Sequence, residues 1–383
     1  MSVTAAAGFR AAGVAAGLKR SGLADVALVV NDGPMSAAAG VFTGNRVKAA
    51  PVLWSQQVLT SGKLRAVILN SGGANACTGP EGFQDTHRTA EHVAGLLQCG
   101  AGEIAVCSTG LIGERLPMDR LLAGVDKAVV GLASGGGSDA ADAICTTDTH
   151  RKEAVASAGG VTVGGMAKGA GMLAPGLATM LCVITTDAEA SSADLDWALR
   201  AATRRTFDRV DTDGCMSTND TVLLLASGAS GVRLAADALA DLVHSVCDDL
   251  SNQLVADAEG ASKFVTIEVR NAASEDDAVE VGRSVARSNL LKCALHGNDP
   301  NWGRVLSAVG TTSAVFEPDR VDVAINDVWI CRSGAAAANR ELVDMRPRDV
   351  TITVDLNAGV EGATVRTTDL TAAYVHENSA YST

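Results

Sequence analysis

Aromatic residues are scarce: Trp, Tyr and Phe supply 3% of a 383-residue chain that is 47% hydrophobic. Large rings therefore cannot fill the core. It must be built from Ala, Val, Leu and Ile packed among 40 glycines, a composition suited to closely apposed sheets and helices. Positive charge is also short. With 31 Lys and Arg against 44 Asp and Glu, the formal charge is -13. Nucleic-acid binding draws much of its affinity from clustered cations, so no nucleic-acid partner is expected. No run of about 18 apolar residues is present to span a bilayer. The opening MSVTAAAGFRAAGVAAGLKR is broken by Arg10 and has no basic segment before it, so it does not read as a secretion signal. A soluble, cytoplasmic protein with no membrane association is expected.

Three kinds of site are missing as well. The nine cysteines, Cys77, Cys99, Cys107, Cys145, Cys182, Cys215, Cys247, Cys293 and Cys331, form an odd set with no CxxC spacing and read as reduced packing residues. The six histidines, His87, His92, His150, His244, His296 and His376, show no metal-ligand spacing, so no metal is expected. A nucleotide-phosphate loop is excluded because Lys168 is neither preceded by Gly nor followed by Ser or Thr.

What is present alternates between strand and helix patterns. Short β-rich runs recur at Val26 to Val30, Ala66 to Leu69, Ile104 to Cys107, Met180 to Thr185, Thr221 to Leu225, Phe264 to Val269 and Val350 to Val354. Several are apolar on both faces, which predicts strands covered on both sides. Leu239, Leu242, Val243, Val246, Leu250 and Leu254 recur at helical spacing, Ser191 or Ser192 caps a helix through Leu199, and another helix follows Ser274. SGGGS at Ser134 to Ser138 reads as a flexible surface linker or insertion. The length predicts two lobes, with a soft boundary between Ser245 and Glu259.

The segment Gly164 to Thr186, GGMAKGAGMLAPGLATMLCVITT, feeds a glycine-rich approach with one lysine and one proline into an apolar strand, with Thr179 at the junction. Glycine and proline permit an unusual backbone path there, and a residue at the start of a buried strand is held rigidly. A threonine hydroxyl is a weak nucleophile without a base, and a threonine freed at a new N-terminus carries one in its own α-amine. Taken alone, an Ala-Thr pair at a strand start is ordinary. Thr109 and Gly110 equally form an ordinary strand-end turn, Lys168 a solvated loop lysine, Thr146 a turn or cap residue, and Glu259 a helix-end carboxylate.

The segment resembles, almost residue for residue, the cleavage motif KGxGMxxPxxAT of the ornithine acetyltransferase (glutamate N-acetyltransferase) family. The resemblance continues through GFRAAGVAAGLK at Gly8 to Lys19, GVFTGN at Gly40 to Asn45, NSGGANACTG at Asn70 to Gly79 and STGLIGERLPM at Ser108 to Met118. Further on it covers TTDT at Thr146 to Thr149, STNDT at Ser217 to Thr221, HGNDPNWGR at His296 to Arg304 and ENSAYST at Glu377 to Thr383.

The resemblance implies cleavage between Ala178 and Thr179 into chains 1–178 and 179–383, with Thr179 then serving as the acyl-carrying nucleophile. It makes Thr109 and Gly110 an oxyanion hole, and Thr146, Lys168, Thr179, Glu259, Asn378 and Thr383 substrate contacts. It also implies acetyl transfer from N-acetylornithine to glutamate, with no cofactor but acetyl-CoA as a possible second donor. The two fragments are expected to assemble as two α and two β chains. The expected fold is an α/β (α+β) layered sandwich of paired sheets between helices, similar to N-terminal-nucleophile hydrolases but differently connected. Residues 1–245 and 350–383 would form the main sandwich, and 246–349 a smaller lobe. Two rival readings are a self-processing amidohydrolase or aminopeptidase passing its acyl group to water, and a non-enzymatic binding or scaffold protein in which Thr179 is structural.

Overall fold

A computed structural model describes residues 2–174 and 180–380. Two sheets make the main body. The first has the strand order Phe9–Val14, Val26–Asn31, Ala66–Ser71, Ile104–Thr109, antiparallel except for the last, parallel pair. The second runs Ala37–Phe42, Thr221–Ala226, Leu181–Thr186, Val161–Lys168, Lys152–Ala158, and only Thr221–Ala226 and Leu181–Thr186 are parallel.

Alternation along a strand shows how the layers stack. Leu181 and Val183 enter a core shared with the first sheet, whereas Cys182 and Ile184 enter a core beneath helices Ser192–Arg205 and Ala236–Ala256. Helices Gly79–Leu97 and Met118–Val130 contribute Val93, Leu121 and Val125 to the first sheet's core. The result is a helix, sheet, sheet, helix sandwich, and its inner strands are largely apolar because both faces are covered. Both predicted caps form: Ser191 accepts from the Asp194 N–H, and Ser274 accepts from the Asp277 N–H.

A third sheet has its own core. Phe264–Ala272 pairs parallel with Asp349–Asp355 and antiparallel with Glu361–Thr368, inside six strands backed by helix Glu275–Ala286. This corrects the expected division in two places. Strands 349–368 belong with the smaller lobe, because Val350, Ile352 and Val354 share one core with Val265, Ile267 and Val269. The lobe also begins after Ala256, since helix Ala236–Ala256 buries Leu239, Val243, Val246, Leu250 and Leu254 in one continuous stripe against the second sheet. Only the last helix, Ala372–Ala380, returns from that lobe toward the main sandwich.

The glycine run at 134–138 also differs from expectation. Ala11 and Ala133 exchange two backbone hydrogen bonds of 3.0 Å, and a Cβ on Gly136 would stand 2.0 Å from the Ala11 carbonyl oxygen. Gly136 allows this close backbone packing, and Gly137 opens helix Gly137–Ile144.

A buried lysine of the smaller lobe reaches the main body through Thr212 and also bonds within its own lobe. Lys292 donates to the Thr212 carbonyl at 2.7 Å, Thr367 Oγ1 at 3.1 Å and the Thr368 carbonyl at 2.5 Å, and burial pushes its ammonium down to about 8. Lys292→Met would strand these acceptors. It is expected to cost about 2 to 4 kcal/mol of stability, read as a lower urea midpoint with an unchanged slope. Among the described residues, no helix is long and apolar enough to cross a membrane.

Candidate active site

Strands Val161–Lys168, Leu181–Thr186 and Thr221–Ala226 end in register, with Lys168 opposite Leu181 and Leu181 opposite Thr221. At that edge lies a cavity of about 110 Å³ lined by Thr109, Gly110, Thr146, Thr147, Lys168, Ser217, Thr218, Asn219, Glu259 and Asn378, among others. Six residues singled out from the sequence thus converge: Thr109, Gly110, Thr146, Lys168, Glu259 and Asn378. Ala178, Thr179 and Thr383 lie outside the described residues. The described chain resumes at Met180, which is buried and leads directly into Leu181–Thr186. A larger cleft of about 420 Å³ at the lobe junction, lined by Arg205, Arg209, Asp248 and Arg366, collects none of the nominated residues.

Gly110 follows strand Ile104–Thr109 with φ +131°, and a Cβ there would lie 2.5 Å from the Gly73 nitrogen. The Thr109 carbonyl accepts from the Gly72 and Gly73 N–H groups at 2.9 and 3.0 Å. Because the peptide is trans, its N–H, that of Gly110, faces the opposite way. That N–H meets no acceptor among the described residues. Lys168 Nζ donates to Thr109 Oγ1 at 3.4 Å. An ammonium has no lone pair, so the Thr109 hydroxyl accepts from it and keeps its own hydrogen for another partner. Asn219 braces this strand end from behind, donating to the Ser108 carbonyl at 2.8 Å and the Ala74 carbonyl at 2.6 Å.

Lys168 is a buried lysine at a strand end, not the solvated loop residue that its type alone would suggest. Burial pushes its ammonium below the usual lysine range, while the Asp148 carboxylate opposes that shift. Asp148 belongs to the Thr146 to Thr149 turn. Its Oδ2 accepts from the Thr146 N–H at 3.0 Å, and its Oδ1 from the Gly169 N–H at 2.7 Å and from Lys152 Nζ at 2.6 Å. Burial alone would raise this carboxyl, but Lys168 and Lys152 together hold it well below the ordinary carboxylate range. Lys152 is itself fully buried and also donates to Asp257 Oδ2 at 2.6 Å.

Asp257 carries this network to the opposite wall, two residues before Glu259. Thr147 Oγ1 donates to Glu259 Oε1 at 2.7 Å, and Asn378 Nδ2 donates to Glu259 Oε2 at 3.1 Å. Asn378 is thus drawn from the C-terminal helix onto the site. Asp220, fully buried beside strand Thr221–Ala226, accepts the Met180 N–H on Oδ1 at 3.0 Å, and burial pushes its carboxyl well above the usual range. Asp148, Lys152, Asp257, Asn219 and Asp220 are the members that reading by residue overlooked. Asp148, Asn219 and Asp220 stand inside motifs already noticed, TTDT and STNDT. Lys152 and Asp257 carry no local signal, because only folding brings them together.

A hydroxyl and a backbone N–H without an acceptor among the described residues, beside a buried ammonium and with a carboxylate across a small cavity, are the equipment of an acyl-transfer enzyme built on an α/β sandwich. The chain belongs to the ArgJ family, which it matches over residues 10–383. It is 69% identical over 382 residues to the arginine biosynthesis bifunctional protein ArgJ of Streptomyces coelicolor, covering 100% of both chains. To the Thermobifida fusca protein of the same name it is 65% identical over 383 residues, again covering 100% of both. Among solved structures, the ornithine acetyltransferase of Mycobacterium tuberculosis complexed with ornithine is 61% identical, with a TM-score of 0.43 over 47% of this chain and 96% of that one.

Proposed function

We infer that this chain is a transferase of arginine biosynthesis that moves the acetyl group of N-acetylornithine to glutamate through an acetyl-Thr179 intermediate. The observation that carries this reading is the convergence of the Thr109 hydroxyl and the Gly110 N–H with Lys168 and Glu259 in one cavity. The Thr179 hydroxyl first attacks the Ala178 carbonyl. The acyl group shifts from nitrogen to oxygen, and water releases chains 1–178 and 179–383. The freed α-amine of Thr179 then serves as base, and the hydroxyl attacks the acetyl carbonyl of N-acetylornithine.

In both events the negative oxygen of the tetrahedral intermediate is received by the Thr109 O–H and Gly110 N–H, a contact worth ~3 kcal/mol of barrier. Ornithine departs with the proton held by the α-amine. The amine of glutamate attacks the acetyl ester and regenerates Thr179. Lys168 suits the α-carboxylate common to both amino acids, and Glu259 suits the side-chain ammonium of ornithine. Thr146, Asn378 and Thr383 complete the substrate contacts. The reading requires no metal or organic cofactor, and it adds acetyl-CoA as a second acetyl donor. The two fragments remain together as an α2β2 assembly in the cytoplasm.

The test is an initial-rate study with purified protein. Acetylglutamate should form from N-acetylornithine with parallel double-reciprocal lines, and more slowly from acetyl-CoA. Acetate release at the same rate without glutamate would instead identify a hydrolase.

A further inference from the structure

Asp148 is a buried charge for which the acetyl-transfer reaction itself has no use. It bonds to two segments that adjoin the cavity, at Thr146 and at Gly169. One oxygen accepts the Gly169 N–H at 2.7 Å, next in sequence to Lys168, and the other accepts the Thr146 N–H at 3.0 Å and the Thr146 hydroxyl at 3.5 Å. Its side chain is fully buried and paired at 2.6 Å with Lys152, which is equally buried and shared with Asp257. A buried carboxylate with one lysine partner and one Asp on the far side of that lysine is costly to retain as mere support. Its pairing with Lys152 and its bond to the N–H that follows Lys168 give it an electrostatic task.

We propose that Asp148 is a positioning residue that keeps Lys168 as an ammonium in a water-poor cavity and aligns it with Thr146, so that the site receives a carboxylate-bearing substrate. The proposal rests on the reading of Lys168 as the carboxylate contact. The groups acting on Lys168 come from several elements: the Asp148 carboxylate, Cys145 and Asp220 favour its charge, and Lys152 and Lys19 oppose it. Burial pushes the Asp220 carboxyl well above its usual range, which weakens its support for that charge. Asp148, held well below the ordinary carboxylate range, is thus the main offset to two neighbouring lysines and the loss of water. Lys168 in turn donates to Thr109 Oγ1, so the same charge also orients the hydroxyl assigned to the oxyanion hole.

The sign is fixed by electrostatics. Removing a negative neighbour makes an ammonium release its proton at lower pH, and removing a positive one makes it release the proton at higher pH. The experiment measures the pH dependence of Lys168 acetylation by deuterated acetic anhydride, read from the mass of its peptide, in the full-length protein and in the variants Asp148→Asn and Lys152→Gln. Only the free amine reacts. The Asp148→Asn profile is expected to move down by about one to two pH units, and the Lys152→Gln profile to move up.

Circular dichroism establishes which variants fold, and either folded variant suffices. A folded variant whose Lys168 profile matches that of the parent protein overturns the proposal. Parallel profiles of kcat/KM separate the two ideas. If the alkaline limb for acetyl transfer follows the labelling shift, both stand. If labelling shifts while kcat/KM changes by a pH-independent factor, the electrostatic role of Asp148 stands and Lys168 is not the carboxylate contact.

Discussion

Replacing Thr179 with alanine is expected to leave a single uncut chain and to lower acetyl transfer by about 10⁴-fold or more, the scale found when a covalent nucleophile is removed. The substitution removes one oxygen that is used twice, to cut the backbone and to carry the acetyl group. Intact-mass analysis should therefore show fragments 1–178 and 179–383 for the parent protein and one 383-residue species for Thr179→Ala. Thr179→Ser keeps the hydroxyl and should still divide. Full turnover by Thr179→Ala, or by a chain proved uncut, would remove the proposed mechanism altogether.

The second large effect is expected at Gly110. With φ +131° and a Cβ that would approach the Gly73 nitrogen to 2.5 Å, Gly110→Ala cannot keep the present backbone path. The Thr109–Gly110 peptide must rotate, which takes the N–H out of the cavity and breaks the paired bonds from Gly72 and Gly73 to the Thr109 carbonyl. Losing one such donor costs about 10²- to 10³-fold in kcat, and the same donor should slow self-cleavage. Thr109→Val is the informative companion, because it removes the other donor without disturbing the backbone. A Gly110→Ala protein that is stable, fully cut and as active as the parent would show that this N–H receives no developing charge. The comparison is made on kcat, since ground-state binding through Lys168 and Glu259 is left in place.

Both substitutions act at positions that motif resemblance nominated, and much of the secondary structure was legible from local pattern. Val26 to Val30 is apolar at every position and Thr221 to Leu225 at every position after Thr221, and both proved to be strands covered on both faces. The capping serines at 191 and 274 work through contacts three residues away, so they needed no tertiary knowledge. Misreadings arose where the decisive contact was distant. SGGGS has the composition of a loose linker, yet Gly136 lies against Ala11, more than a hundred residues earlier. Strands 349–368 have a pattern that would suit either sheet, and only the shared core with Val265 and Ile267 assigns them.

The site divides in the same way. Motif resemblance was enough to nominate Thr109, Gly110, Thr146, Lys168, Glu259 and Asn378, because residue type and order along the chain survive without coordinates. Their meeting in one cavity, the direction of the Gly110 N–H, and the Lys152 pairing with both Asp148 and Asp257 could be seen only in the folded chain. The reason is physical. Period, capping and turn chemistry are interactions among near neighbours and are written into short stretches of residues. The charge state of a buried lysine depends on groups that the fold gathers from distant stretches and shields from water, and no local pattern encodes that.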